Sequence, residues 1–346
     1  EDGTRFYQPG SPFSPDLEPP NQDERGDQHP WSLGFFNTDF RGYRAMTCRF
    51  PNEGGFLGPT ALPTLLACLP GASANTKIFD GAQGDALTFH FEAHDNSIAS
   101  QNDKVYADEM LTQWLGKTIK EMSLADYAFY AGLIQGAALN EYIRNFRRRM
   151  FDSAAAIYWM YNDCWPATRS WTTVDYYGRR TPAFHPVRRA FQPLTVVIAV
   201  EDETVKVYGV NEGQAWSGEL RCGLVALAGG YPVDRFQRVN IPANASALMV
   251  EFGMEEWRKH GFNTHVAFAI LKDDQGEIAR DIFFQLFYKE MAWPSVDVII
   301  RRSEDKVIFE SRTFAWRVCL DLHGEKALPD NFFDVLPGIP TILDWP

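Results

Sequence analysis

A glutamate flanked by an asparagine and paired glycines is the feature of this sequence that most invites chemistry. Glu53 lies in PNEGGFLGP, directly after the strand-like run Ala45 to Phe50, so its carboxylate falls at a strand end. Gly54, Gly55 and Gly58 permit sharp turns unavailable to other residues and let a substrate approach the backbone. A carboxylate presented in that way suits the mouth of a β/α barrel, where strand ends gather the reacting groups. The same glutamate in a glycine-rich surface loop would be structural only. Two further polar clusters stand at the ends of apolar runs: His94 to Ser97 (HDNS), and Asn162-Asp163 after AAAIYWMY.

The elements that must hold these residues come in two textures. Thr60 to Leu69 reads as a short helix stopped by Pro70 and Gly71, Leu87 to Phe91 as a short strand, and Tyr106 to Ile119 as a helix. A longer helix starts where Ser123 and Asp126 fit the N-cap and N3 positions of a capping box. From there Leu124, Tyr127, Ala131, Ile134, Ala138, Tyr142 and Phe146 draw one apolar face. Arg144, Arg147, Arg148 and Arg149 crowd its last turns, where the helix dipole favours cations, and read as a solvated end. Ala154 to Tyr161 then reads as a buried parallel strand, completing the strand, helix, strand unit of a β/α barrel. From Leu194 the runs TVVIAV, TVKVYGV, GELRCGLVAL, SALMVEF, HVAFAILK and IFFQLFY have the spacing of an all-β sandwich. After a boundary near Tyr288 to Pro294, VDVIIRR, KVIFES, FAWRVCLDL and DNFFDVLPG read as a second one.

Four islands of sequence resemble the β-mannosidase branch of glycoside hydrolase family 2. CRFPNEGGFLGPTALPTL resembles the segment that holds the catalytic nucleophile of that family, and YWMYNDCWPATRSWTTVDYYGRRTPAF its last barrel strand and exit. GDQHPWSLGF resembles an earlier barrel loop, and LPDNFFDVLPG the closing strand pair of the C-terminal domain. The first island departs from the family pattern at Asn52 and Gly54, where many relatives carry serine and an aromatic residue.

The resemblance implies an α/β plus all-β chain: the C-terminal half of a (β/α)8 barrel over residues 1–190, then immunoglobulin-like β-sandwich modules over 191–288 and 289–346. It makes Glu53 the nucleophile of a retaining exo-β-glycoside hydrolase, in which a second carboxylate about 5–5.5 Å away protonates the leaving oxygen and later activates water. Arg49, four residues upstream and so on the same face of an extended chain, is a candidate cation to keep Glu53 ionised. The expected substrate-binding residues are Asn52, Trp31, His94, Trp159, Asn162 and Asp163, with Trp159 as a stacking platform for the sugar and His29 at the rim beside Trp31. A barrel-filling role for Trp159, a turn-capping role for Asp163 and loop-ordering roles for His94 and Asn96 are the alternatives that the residues leave open. No cofactor is implied, because carboxylate chemistry suffices.

The acid/base carboxylate of the family lies on the fourth barrel strand, and no Asn-Glu pair precedes Glu53 to stand in for it. The expected partners are therefore a β-linked oligosaccharide or glycoside and a missing N-terminal half of the enzyme. Related readings keep the barrel and change the sugar to a β-glucosaminide, β-galactoside or β-glucuronide, or make the chain a non-catalytic carbohydrate-binding or assembly subunit.

Composition narrows the classes further. The chain has 346 residues, 45% of them hydrophobic and 23% charged, which suits a soluble globular protein of more than one domain. A net charge of −12 gives no electrostatic footprint for nucleic acid or an anionic membrane surface. No apolar run is long enough to span a bilayer. Cys48, Cys68, Cys164, Cys222 and Cys319 have neither zinc-ligand spacing nor the pattern of a disulfide framework. The chain starts at Glu1 without the marks of a signal peptide, so either a leader has been removed or the chain begins inside a longer protein.

Overall fold

Helices organise residues 40–190 and antiparallel sheets residues 194–344 in the computed structural model of the chain, which describes all residues except 1–2, 6, 16–17, 35–36, 78–83, 97–108 and 346. A 3-10 helix over Phe40–Ala45 precedes β1 (Gly58–Pro59), α1 (Leu62–Cys68), α2 (Gly84–Ala93) and α3 (109–115). The start of the helix expected from Tyr106, and Ser97 of the HDNS loop, lie outside the described residues. Next come α4 (Leu124–Arg148), β2 (Arg169–Ser170) and α5 (Phe184–Ala190).

The spine is α4, 25 residues long. Its capping box is formed: Asp126 N donates to Ser123 Oγ at 3.1 Å, and Ser123 N to the Asp126 carboxylate at 3.3 Å. The expected apolar face is buried, from Leu124 through Tyr142 to Phe146. Glycine matters here for proximity: a Cβ at Gly132 would lie 2.6 Å from the Pro182 ring, so only glycine lets the chain entering α5 pack against this helix.

Extended segments lie side by side in front of α4. Gln28 pairs in parallel with Pro51. The next segment is tied on by Ala154 N to Arg49 O at 2.8 Å, Ile157 N to Pro51 O at 3.1 Å and Trp159 N to Gly54 O at 2.6 Å. They are aligned as parallel neighbours, although neither Ala45–Phe50 nor Ala154–Tyr161 forms a regular strand. Nor is the latter run buried: Ile157, Trp159 and Tyr161 alternate outward at 49%, 42% and 62% exposure, so one side of it is uncovered.

Two other expectations fail for identifiable reasons. Leu87 to Phe91 is helical, inside α2. Its apolar residues at 87, 89 and 91 mimic a strand alternation, yet Phe91 is buried while Phe89 is 67% exposed. The arginine run at the end of α4 is not solvated. Arg144, Arg147 and Arg148 are buried and pair with Asp281, Glu212 and Glu201, which lie in or beside the sheets that follow.

The sheets comprise β3 (Leu194–Glu201), β4 (Thr204–Asn211), β5 (Trp216–Ala226), β6 (Val233–Ile241), β7 (Ala245–Gly253), β8 (His265–Asp273) and β9 (Gly276–Phe283), with α6 (Met254–His260) between β7 and β8. An antiparallel β3-β4-β7 sheet faces an antiparallel β6-β5-β8-β9 sheet. Val196, Ile198, Val205 and Val207 from one meet Leu220, Leu224, Ala267 and Leu271 from the other in a shared apolar core. Of IFFQLFY only Ile282 and Phe283 are in a strand; the rest leads into a 3-10 helix at Tyr288–Glu290. The last strands are β10 (Val298–Ser303), β11 (Lys306–Ser311), β12 (Ala315–Val318), β13 (Phe333–Val335) and β14 (Thr341–Asp344). They form a β10-β11-β14 sheet and a β12-β13 pair around Phe309, Phe333 and Val335. Among the described residues, no helix is long and apolar enough to cross a membrane.

Candidate active site

Glu53 sits where the parallel segments meet, on a stretch fixed from behind by tyrosines. Tyr142 on α4 donates to Ile157 O at 2.7 Å, and Tyr43 donates to Gly55 O at 3.1 Å. Burial pushes the Tyr142 hydroxyl well above its ordinary range, so it stays a proton donor. The glycines beside Glu53 serve contact rather than turning: none of Gly54, Gly55 and Gly58 has a positive φ. A Cβ on Gly54 would lie 2.8 Å from the Tyr142 ring, and one on Gly55 would lie 2.2 Å from Trp159 O and 3.1 Å from the Trp31 ring. The close approach at Gly55 brings Glu53, Trp159 and Trp31 to one place.

The partner of Glu53 is His29, not Arg49. Glu53 Oε2 lies 2.9 Å from His29 Nδ1, with the two side chains 25% and 17% exposed. Arg49 turns away to Asp152, 3.6 Å from its carboxylate, so alternate-residue spacing did not create the anticipated contact. Behind His29 is a polar chain that the sequence did not single out. Its Nε2 is 2.8 Å from Ser11 Oγ, and Ser11 Oγ donates to Asp27 Oδ2 at 2.5 Å. Asp27 is buried. Burial alone would raise its carboxyl pKa, but hydrogen bonds from Ser11, the Phe13 amide and Asn52 outweigh it and hold the group below the usual carboxylate range. Asn52 donates through Nδ2 to Asp27 Oδ2 at 2.7 Å and to Ser11 Oγ at 3.0 Å. Its Oδ1 is buried without a hydrogen-bond partner among the described residues. The only sequence signal for Asp27 was its place in GDQHPW; nothing local pointed to Ser11.

The aromatic residues divide. Trp159 is 42% exposed beside Glu53 and free to stack on a ligand, while Trp31 packs edge-on against buried Trp171 at 4.9 Å. The Asn162–Asp163 cluster is hydrogen-bonded to its own surroundings. Asp163 is buried and accepts from Ser170 Oγ at 2.6 Å, Thr172 Oγ1 at 2.9 Å and Asn96 Nδ2 at 3.3 Å. Burial pushes its carboxyl up, with those donors opposing the shift. Asn162 is exposed and donates to the Asp163 carbonyl at 3.2 Å. His94 stacks on Trp165 at 5.1 Å, and its Nδ1 lies 2.9 Å from Pro166 O. These contacts order the loop after the 154–161 segment. Among the described residues, no group of histidine, cysteine and carboxylate side chains could hold a metal.

With this geometry in place, the likenesses to known proteins become informative. No family model matches the chain. A β-mannosidase B of Aspergillus niger is 24% identical over 96% of the chain, and one of Aspergillus clavatus is 29% identical over the same share. The chain spans 40% of the length of each. Among solved structures, the β-D-mannosidase of Dictyoglomus thermophilum superposes with a TM-score of 0.85 over 99% of the chain and 40% of its own, at 24% identity. The exo-chitosanase CsxA of Amycolatopsis orientalis reaches 0.59 over 84% of the chain and 39% of its own, at 18% identity. The fold is thus that of the matched portion of the β-D-mannosidase, helices followed by antiparallel sheets. Along nearly its whole length the chain resembles β-mannosidases, as the four islands implied.

Proposed function

We propose that the chain is the nucleophile-bearing portion of a retaining exo-β-glycoside hydrolase that acts on β-mannosides. Glu53 attacks the anomeric carbon, and an acid/base carboxylate outside this chain protonates the leaving oxygen and then activates water. The observation that carries the reading is Glu53 at the meeting of the aligned segments, beside the open face of Trp159, in a chain whose curated relatives are β-mannosidases. Trp159 and Trp31 form the aromatic wall, and Asn52 contributes through its unpartnered Oδ1. Asp163, Asn162, His94 and Asn96 shape the loop behind that wall.

The aligned segments 26–29, 49–54 and 154–160 take the places of the last parallel strands of a (β/α)8 barrel, and the facing sheets of 194–283 and the strands of 298–344 are its immunoglobulin-like appendages. The alternating exposure of Ile157, Trp159 and Tyr161 supports a barrel interior closed by polypeptide beyond this chain, in keeping with the share of the relatives' length that it spans.

A mechanism-based 2-deoxy-2-fluoro-β-mannosyl fluoride tests the reading, because fluoride departs without a general acid. A covalent adduct on the peptide containing Glu53, absent from Glu53→Gln, is the expected result; sugar binding with no adduct there makes the chain a carbohydrate-binding subunit instead. Hydrolysis of an aryl β-mannoside by the chain alone, abolished by Glu53→Gln, would place the second carboxylate within it and overturn the divided site. A panel of aryl β-glucosaminide, β-galactoside and β-glucuronide reports on the sugar.

A further inference from the structure

We infer that His29, protonated on both ring nitrogens, is the cation that holds Glu53 as a carboxylate. The argument is a count of protons along one hydrogen-bonded chain. A serine hydroxyl has one proton to donate and two lone pairs to accept. Asp27 is an ionised acceptor, so the single proton of Ser11 is committed to Asp27 Oδ2 at 2.5 Å. Ser11 Oγ then only accepts: from Asn52 Nδ2 at 3.0 Å, and from the ring nitrogen at 2.8 Å. His29 Nε2 must therefore carry a proton.

At the other nitrogen, Nδ1 faces Glu53 Oε2 at 2.9 Å, and an ionised carboxylate only accepts. A hydrogen bond there needs one more proton between the pair; imidazole is a stronger base than a carboxylate, so that proton rests on Nδ1 and makes His29 an imidazolium beside an anionic Glu53. The ring is anchored as well as charged: its backbone N donates to Asn21 Oδ1 at 2.7 Å, and Gln28, the residue before it, pairs with Pro51. Among the described residues, Arg49 is engaged by Asp152, and Asp27 reaches the ring through Ser11. His29 is thus a positioning residue: it fixes one oxygen of Glu53 and leaves the other for the sugar. This role rests on the reading of Glu53 as nucleophile.

Selective 15N-histidine labelling of the full chain, with long-range proton–nitrogen correlation at neutral pH, tests it. Loss of one signal set in His29→Asn assigns the residue among the 7 histidines. The wild type is expected to show both His29 nitrogens protonated. In Glu53→Gln, which removes the anion and keeps the shape, Nδ1 is expected to lose its proton while Nε2 retains the one bonded to Ser11. A neutral His29 in the wild type overturns the inference even if the fluoro-sugar labels Glu53. A doubly protonated His29 without labelling sinks the nucleophile reading and leaves the inferred pairing intact.

Discussion

At Gly55 the room for one methyl group decides whether the site can assemble. A Cβ there would lie 2.2 Å from the Trp159 carbonyl, which belongs to backbone and has little freedom to yield. Gly55→Ala is therefore expected to push the Glu53 segment off the Trp159 segment and cost about 1–3 kcal/mol, the usual range for overpacking. Denaturant unfolding with tryptophan fluorescence measures both the loss and the altered Trp159 environment. The same residue illustrates what the sequence made visible. Clustered glycines next to a glutamate announced a place of close approach, but they announced it as a turn; backbone pressed against backbone was the actual demand. His29 and Ser11 were harder still, because they lie 24 and 42 residues before Glu53 and only the fold brings the three into line.

Among the elements, α4 was the most legible, because its capping box and its repeat of apolar residues are local patterns written in one stretch of chain. What its arginines do was not legible, since their partners lie far along the sequence in Glu201, Glu212 and Asp281. Arg144 is buried against Asp281, whose Oδ2 also accepts from Ile198 N at 2.7 Å on β3. Arg144→Ala leaves that carboxylate buried and unpaired, so a loss of about 3–5 kcal/mol is expected in equilibrium unfolding. Arg144→Met combined with Asp281→Leu removes both charges and is expected to recover much of it. Among the strands, β3, β4 and β8 announced themselves as runs of β-branched and apolar residues. β6 did not, because Arg235 and Gln237 interrupt its apolar side between Val233 and Val239.

Across the whole molecule, acid should loosen the join between the helical and sheet regions. Glu201 on β3 binds Arg148 of α4 at 2.7 Å and Lys206 of β4 at 3.1 Å. Burial would raise its pKa, but these cations prevail and draw it down to about 2 from an ordinary 4.5. A depressed carboxyl means that the unfolded chain binds more protons, so this stabilisation is complete above the ordinary pKa and fades as pH falls toward the folded one. Melting temperatures measured between pH 4.5 and 2 are expected to fall, with a shallower slope in Glu201→Gln.

The helix that backs Glu53 with Tyr142 grips the sheets two turns later with Arg148. Tyr142 and Arg148 are only about 9 Å apart along the axis, too close for the helix to bend between those duties. Neither contact can shift without the other, so a torque applied to the sandwich would twist the floor beneath the carboxylate. The β-sheets are in that sense a brace for a carboxylate that lies outside them.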